Sequence, residues 1–154
     1  MALGLPIHGG DLAGAEARWG RPAAGWLDLS TGINPWPYAL PKLSGDAWNR
    51  LPGAAEEEAL RAAAARRFGT RPDWVVAAPG TSALIQALPR TRIPGPVAVV
   101  GPTYGEHARA WASAGHMVRE VPTLDDARAP VVVVVNPNNP DGRVIDPATL
   151  LARA

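Results

Sequence analysis

Cysteine is absent from this 154-residue chain, so it can form neither a disulfide framework nor a thiolate metal site. Lysine is nearly absent: Lys42 stands alone, and arginine supplies the rest of the positive charge. The arginines are scattered among acids and the formal net charge is only +1, which argues against a nucleic-acid partner. Long hydrophobic runs are lacking as well. The longest, Val131 to Val135, is far too short to cross a bilayer. Met1-Ala2-Leu3-Gly4-Leu5-Pro6 has no basic region and no extended apolar core, so it does not read as a secretory signal. His8, His107 and His116 lie far apart with no metal-ligand spacing. Three phosphate or nucleophile signatures are also missing: Gly-x-Gly-x-x-Gly, Gly-x-x-x-x-Gly-Lys-Ser/Thr and Gly-x-Ser-x-Gly. The expectation is a cytoplasmic protein that binds no metal, no membrane and no nucleic acid.

What is present suits a globular α/β protein. The chain is 47% hydrophobic and 19% charged, ordinary values for a packed domain, and it is long enough to bury a core. Its 17 prolines and 16 glycines sit singly at element boundaries, where they punctuate the chain. Residues 1–53 read as an irregular arm, repeatedly interrupted by Gly9-Gly10, Thr31-Gly32, Asn34-Pro35-Trp36-Pro37 and Leu40-Pro41. Within the arm a short helix is expected over Asp11 to Trp19, capped by Asp11 and ended by Gly20. Trp26-Leu27-Asp28-Leu29 reads as a short strand.

Residues 54–154 read as part of a larger α/β domain. A helix is expected from Ala54 to Phe68, with Leu60, Ala64 and Phe68 as its apolar stripe. Acids stand near its start and Arg66 and Arg67 near its end, which suits the helix dipole. From Gly69 on, strands alternate with helices: strands at Trp74 to Ala78, Val97 to Val100, Met117 to Val121 and Val131 to Val135, with helices starting near Thr81, Gly105 and Pro147. That alternation implies a largely parallel sheet, and five consecutive valines imply a strand covered on both faces.

In such sheets ligands bind outside the carboxyl ends of the strands, and three of these ends carry suitable groups. At Pro79-Gly80-Thr81-Ser82, free N–H groups and hydroxyls at a helix start can hold a phosphate or can simply cap the helix. At Pro102-Thr103-Tyr104, the aromatic ring can stack on a planar heterocycle or can plug the gap between helix and sheet. At Asn136-Pro137-Asn138-Asn139-Pro140-Asp141-Gly142, amides that both donate and accept can hold a phenolic oxygen, beyond what a chain reversal needs.

Taken together these segments resemble fold-type I pyridoxal-phosphate enzymes of the aspartate and histidinol-phosphate aminotransferase lineage, whose Asn-Pro-x-Gly segment is matched by Val135 to Gly142. The arm narrows the resemblance. His8-Gly9-Gly10-Asp11, Asp28 to Pro35, and Pro79 to Gln86 are similar to the cobalamin-biosynthesis threonine-phosphate decarboxylase family. The resemblance runs over essentially the whole chain but corresponds to about the first half of a family member.

The resemblance implies a mostly parallel large-domain sheet preceded by an arm, pyridoxal 5′-phosphate as cofactor, and a small phosphorylated amino acid as substrate. Gly80, Thr81 and Ser82 would hold the cofactor phosphate, Tyr104 would stack on its ring, and Asn139 would bond its phenolic oxygen. His8, Gly9 and Asn34 would lie near the substrate. The implied reaction is decarboxylation of L-threonine O-3-phosphate to (R)-1-aminopropan-2-yl phosphate in a cytoplasmic homodimer. The alternatives are an aminotransferase of the histidinol-phosphate type and a non-catalytic fragment or pseudo-enzyme. The cofactor-carrying lysine, the aspartate for the ring nitrogen and the carboxylate-binding arginine of that family all lie after the Asn-Pro-x-Gly segment. No catalytic residue is therefore assigned, and the 154-residue chain alone is expected to be inactive.

Overall fold

The computed structural model describes residues 9–154. They form two compact units, one ending at Leu43 and the other spanning Ser44–Ala154.

In the first unit α1 covers Leu12–Trp19. The Asp11 carboxylate accepts from the Gly14 N–H at 2.8 Å, and Gly20 closes the helix with a φ of 75°, both as expected from the sequence. The expected strand at Trp26 to Leu29 is absent. Asp28 turns its carboxylate onto the Ser30 N–H at 2.8 Å, and among the described residues no ladder forms there. Trp26, Leu27 and Leu29 are exposed.

In the second unit α2 (Asp46–Asn49) and α3 (Ala54–Phe68) precede the sheet region. The bounds of α3 match the sequence expectation. Gly53 donates its N–H to Glu56 at 3.0 Å, and Gly69 at φ 66° provides the left-handed terminus. Its stripe differs from expectation, because Leu60 and Phe68 are exposed and only Ala65 is buried.

A parallel three-stranded sheet follows, in the order β2-β1-β3, from β1 (Pro96–Val100), β2 (Met117–Val121) and β3 (Val131–Val133). Central β1 registers Val97 against Val118 on one side and against Val131 on the other. Because side chains alternate along a strand, it feeds two cores. Ala98 and Val100 pack with Val121 and Ala127, while Val97 and Val99 pack with Trp111. Trp111 comes from α5 (Glu106–Ser113), which links β1 to β2.

Buried His116 ties this layer to the chain before it. The Gly95 N–H donates to its Nδ1 at 3.3 Å, and Nε2 lies 3.0 Å from the Pro89 carbonyl. That pairing places the ring proton on Nε2. Its ring meets Trp111 edge-on, with centroids 4.6 Å apart.

Two strand expectations are corrected. Pro72–Trp74 is a turn of 3₁₀ helix, and Val75 continues extended (φ −111°, ψ 127°). Among the described residues Val75 to Ala78 joins no strand, so the ladder that would make it one is missing. The valine run is a strand only over Val131–Val133, and those residues are half-buried. Val131 and Val133 pack on the Trp111 side while Val132 and Val134 pack on the Ala127 side, so the run meets a core on both faces, as its composition suggests, though it is only half-buried. The remaining helices, α4 (Thr81–Ala87) and α6 (Pro147–Arg153), stand where the sequence places them. Asp146 caps α6 through the Thr149 N–H at 3.2 Å. Among the described residues no helix is long and apolar enough to cross a membrane.

Candidate functional site

β1 and β3 are neighbours and run parallel, so the loops leaving their carboxyl ends emerge side by side. One carries Pro102, Thr103 and Tyr104; the other runs from Asn136 to Arg143. Asn138 joins them. Its Nδ2 donates to the Pro102 carbonyl at 3.0 Å and to Asp141 Oδ1 at 2.8 Å. Its backbone N–H donates to Arg143 O at 2.7 Å, and its carbonyl accepts from the Gly142 N–H at 2.8 Å. Only 6% of Asn138 is exposed. A second link between the loops runs from the Thr103 hydroxyl to the Asn139 carbonyl at 3.3 Å.

Asn136 closes the base of the second loop. Its side-chain amide exchanges two bonds of 2.9 Å with the backbone of Ile145. The peptide bonds before Pro102, Pro137 and Pro140 are cis. Asp141 is held below the usual carboxylate range, first by the Arg143 N–H and then by the Asn138 amide.

Of the residues singled out from the sequence, Tyr104 and Asn139 are thus brought to adjoining loops. Tyr104 is half-buried and meets the His107 ring edge-on, with centroids 6.2 Å apart and planes at 83°. Burial holds the His107 imidazole below its ordinary value, while the charge of Glu106 opposes that shift. Gly80, Thr81 and Ser82 stand at the start of α4. Gly80 adopts φ 91°, a conformation that favours glycine, and no atom lies within 4 Å of where a Cβ would be. No side chain caps this helix start, which leaves N–H groups there available to an anion. This turn is connected to the other two loops through the packing of α4 on α5, with Gln86 Nε2 3.4 Å from Glu106 Oε2.

Gly9 and Asn34 belong to the first unit. Any side chain on Gly9 would collide with Ser30, and the Asn34 side-chain oxygen accepts from the Trp36 N–H at 2.9 Å. The turn-forming use of Asn34 is therefore present. His8 lies outside the described residues. Among the described residues no group of three or more His, Cys, Asp or Glu could hold a metal.

Sequence reasoning passed over Asn138 and Thr103. The available signal for Asn138 was its spacing three residues before Asp141, the interval at which a side chain closes a turn.

The sheet, its ordered strand-end loops and the exposed helix start define an α/β enzyme scaffold of the aminotransferase kind. The chain belongs to the aminotransferase class I and II family, which matches residues 26–152. It is 50% identical over 151 residues to a threonine-phosphate decarboxylase of Pseudomonas aeruginosa, covering 94% of this chain and 44% of that protein. Against a threonine-phosphate decarboxylase of a Sinorhizobium species the identity is 47% over 151 residues, covering 96% of this chain and 45% of the relative. The chain therefore spans somewhat under half the length of these relatives.

Two solved structures share the fold. The first is L-threonine-O-3-phosphate decarboxylase from Porphyromonas gingivalis, with TM-score 0.56 and 22% identity over 62% of this chain and 33% of that one. The second is histidinol-phosphate aminotransferase from Sinorhizobium meliloti, in complex with pyridoxal-5′-phosphate. It has TM-score 0.59 and 26% identity over 71% of this chain and 33% of that one.

Proposed function

We propose that this chain is the cofactor-gripping part of a pyridoxal-phosphate-dependent L-threonine-O-3-phosphate decarboxylase, which releases (R)-1-aminopropan-2-yl phosphate for cobalamin biosynthesis. The observation that carries this reading is the bridging of the Tyr104 and Asn139 loops through Asn138 and Thr103, in a chain about half identical to two proteins of that name.

The donor set fits the cofactor. Gly80 leaves open space at the start of α4, where N–H groups and the Thr81 and Ser82 hydroxyls suit a phosphate dianion. The Tyr104 ring offers a face to a pyridine, and the exposed Asn139 offers an amide to a phenolic oxygen. When bound, the pyridine ring supplies an electron sink for the charge left on the substrate's α-carbon. The residues of this chain bind and orient. The α4 turn would hold the phosphate end, Tyr104 would stack on the ring, and Asn139 would bond its phenolic oxygen.

His8, Gly9 and Asn34 are proposed to approach the phosphate or carboxylate of the substrate. Asn34 would do so through its Nδ2, since its oxygen serves the local turn. We place residues 1–53 as an arm and residues 54–154 as part of the cofactor-binding large domain, in a cytoplasmic homodimer.

The deciding experiment supplies threonine phosphate and pyridoxal phosphate to a protein of the relatives' length that carries this chain. Release of carbon dioxide is the expected result. With an α-keto acid added as amino-group acceptor, formation of a keto acid from threonine phosphate, or of the corresponding ketone from histidinol phosphate, would favour the aminotransferase reading, which the second structural neighbour supports.

A further inference from the structure

Among the described residues Asn138 is the one buried polar side chain that joins the two strand-end loops, and its geometry admits a single orientation. The Nδ2 group has two hydrogens; one meets the Pro102 carbonyl and the other meets Asp141 Oδ1. Rotating the amide by half a turn would set its oxygen against those two acceptors, so the arrangement is locked. Asp141 is itself held by the Arg143 N–H at 2.9 Å. The Pro102 end of the bridge is two residues from Tyr104, and the Asn138 end is next to Asn139. We infer that Asn138 is a positioning residue, which sets the spacing between the Tyr104 ring and the Asn139 amide by bonding the two loops that carry them to each other. This inference rests on the cofactor reading given above and extends it to a residue that would touch neither cofactor nor substrate.

The probes are 4-deoxypyridoxine 5′-phosphate, which has no aldehyde and so needs no lysine, and its counterpart lacking the 3-hydroxyl. Affinities of both are measured by fluorescence or calorimetric titration for a cofactor-free protein of the relatives' length that carries this chain. The wild-type chain should prefer the hydroxyl-bearing probe by about three- to tenfold, the worth of one hydrogen bond. In Asn138→Ala that preference should collapse, with affinity for the 3-deoxy probe little changed. A role confined to general stability would weaken both probes equally, and an equal loss, or no loss, overturns the inference.

If Asn138→Ala fails to fold by circular dichroism, Asn138→Ser decides: a hydroxyl has one hydrogen and cannot serve both the Pro102 carbonyl and Asp141 Oδ1, and a preference kept intact in this variant overturns the inference as well. A wild-type chain that binds both probes alike removes the role given to Asn139, and the inference with it. A wild-type protein of the relatives' length that binds neither probe removes the cofactor reading itself. These two failures are told apart by the 3-deoxy titration.

Discussion

Asn138 and Pro102 stand 36 residues apart in sequence and 3.0 Å apart in space, joined by a side-chain amide donating to a backbone carbonyl. The bond crosses from the β3 loop to the β1 loop and is part-buried, so neither partner can readily exchange it for water. Asn138→Ala would leave the Pro102 carbonyl without this donor and remove one of the two bonds to Asp141 Oδ1, which keeps the Arg143 N–H. We expect a loss of about 1–3 kcal/mol of unfolding free energy, read as a lowered denaturant midpoint at unchanged slope. Asn138→Asp should cost more, because it sets a second carboxylate against Asp141.

The His116 ring makes a comparable prediction elsewhere in the fold. It satisfies Gly95 N–H and the Pro89 carbonyl while packing on Trp111. His116→Phe keeps the ring and removes both bonds, and should destabilise by about 1–3 kcal/mol. An unchanged denaturation midpoint would mean that water replaces both partners.

Burial predicts opposite outcomes for two aromatic truncations. Trp111 is 5% exposed and Phe68 is 74% exposed. Trp111→Ala opens the core beside Val97 and Val99 and should cost about 3–5 kcal/mol. Phe68→Ala should change the stability of this chain by no more than about 0.5 kcal/mol. Parallel urea melts of the two variants test the ranking.

The same contrast explains which parts of the fold could be read from sequence. The bounds of α3 and the start of α6 were legible because glycine and proline act within a few residues of themselves. Strand β2 was legible from its apolar pattern and its flanking Gly115. The Trp74 to Ala78 segment was misread because a strand is a property of two segments, and this apolar stretch has no partner among the described residues. At the candidate site, Tyr104 was legible as an aromatic just past a strand end, while Asn139 was singled out by the family resemblance. Asn138 could not be separated from Asn139 by composition alone. Which of two adjacent asparagines turns inward depends on the backbone between Pro137 and Pro140, and on a carbonyl contributed by another loop.

Acid should weaken the fold through His107 and through two carboxylates, Asp141 and Asp28, the latter held low by the Ser30 hydroxyl and N–H. The folded-state value of Asp141 is depressed by the Arg143 N–H and the Asn138 amide. Its stabilisation is full above the unfolded carboxylate value, 3.8, and is lost as the pH falls through the lower folded value. Asp141→Asn should flatten that portion of the stability curve. The folded-state value of His107 is depressed as well, by burial. The unfolded chain therefore takes up a proton below about 6.5 while the folded one resists, so stability falls with pH across that window. His107→Phe should remove this component and leave the carboxylate component in place. Chemical denaturation at intervals between pH 3 and pH 8 separates the two.

Tyr104 provides the most direct test of cofactor stacking, because ring and hydroxyl can be removed separately. Stacking uses the ring face, so Tyr104→Phe should retain affinity for pyridoxal phosphate within about twofold. Tyr104→Ala removes the plate, and an aromatic pair is worth about 0.5–1.5 kcal/mol beyond its buried area. The dissociation constant should therefore rise about tenfold once lost area is included. Should Phe weaken binding as much as Ala does, the hydroxyl would be the working group. Tyr104 would then act as a hydrogen-bonding residue on the cofactor's rim, and the aromatic face would belong to the packing against His107 instead.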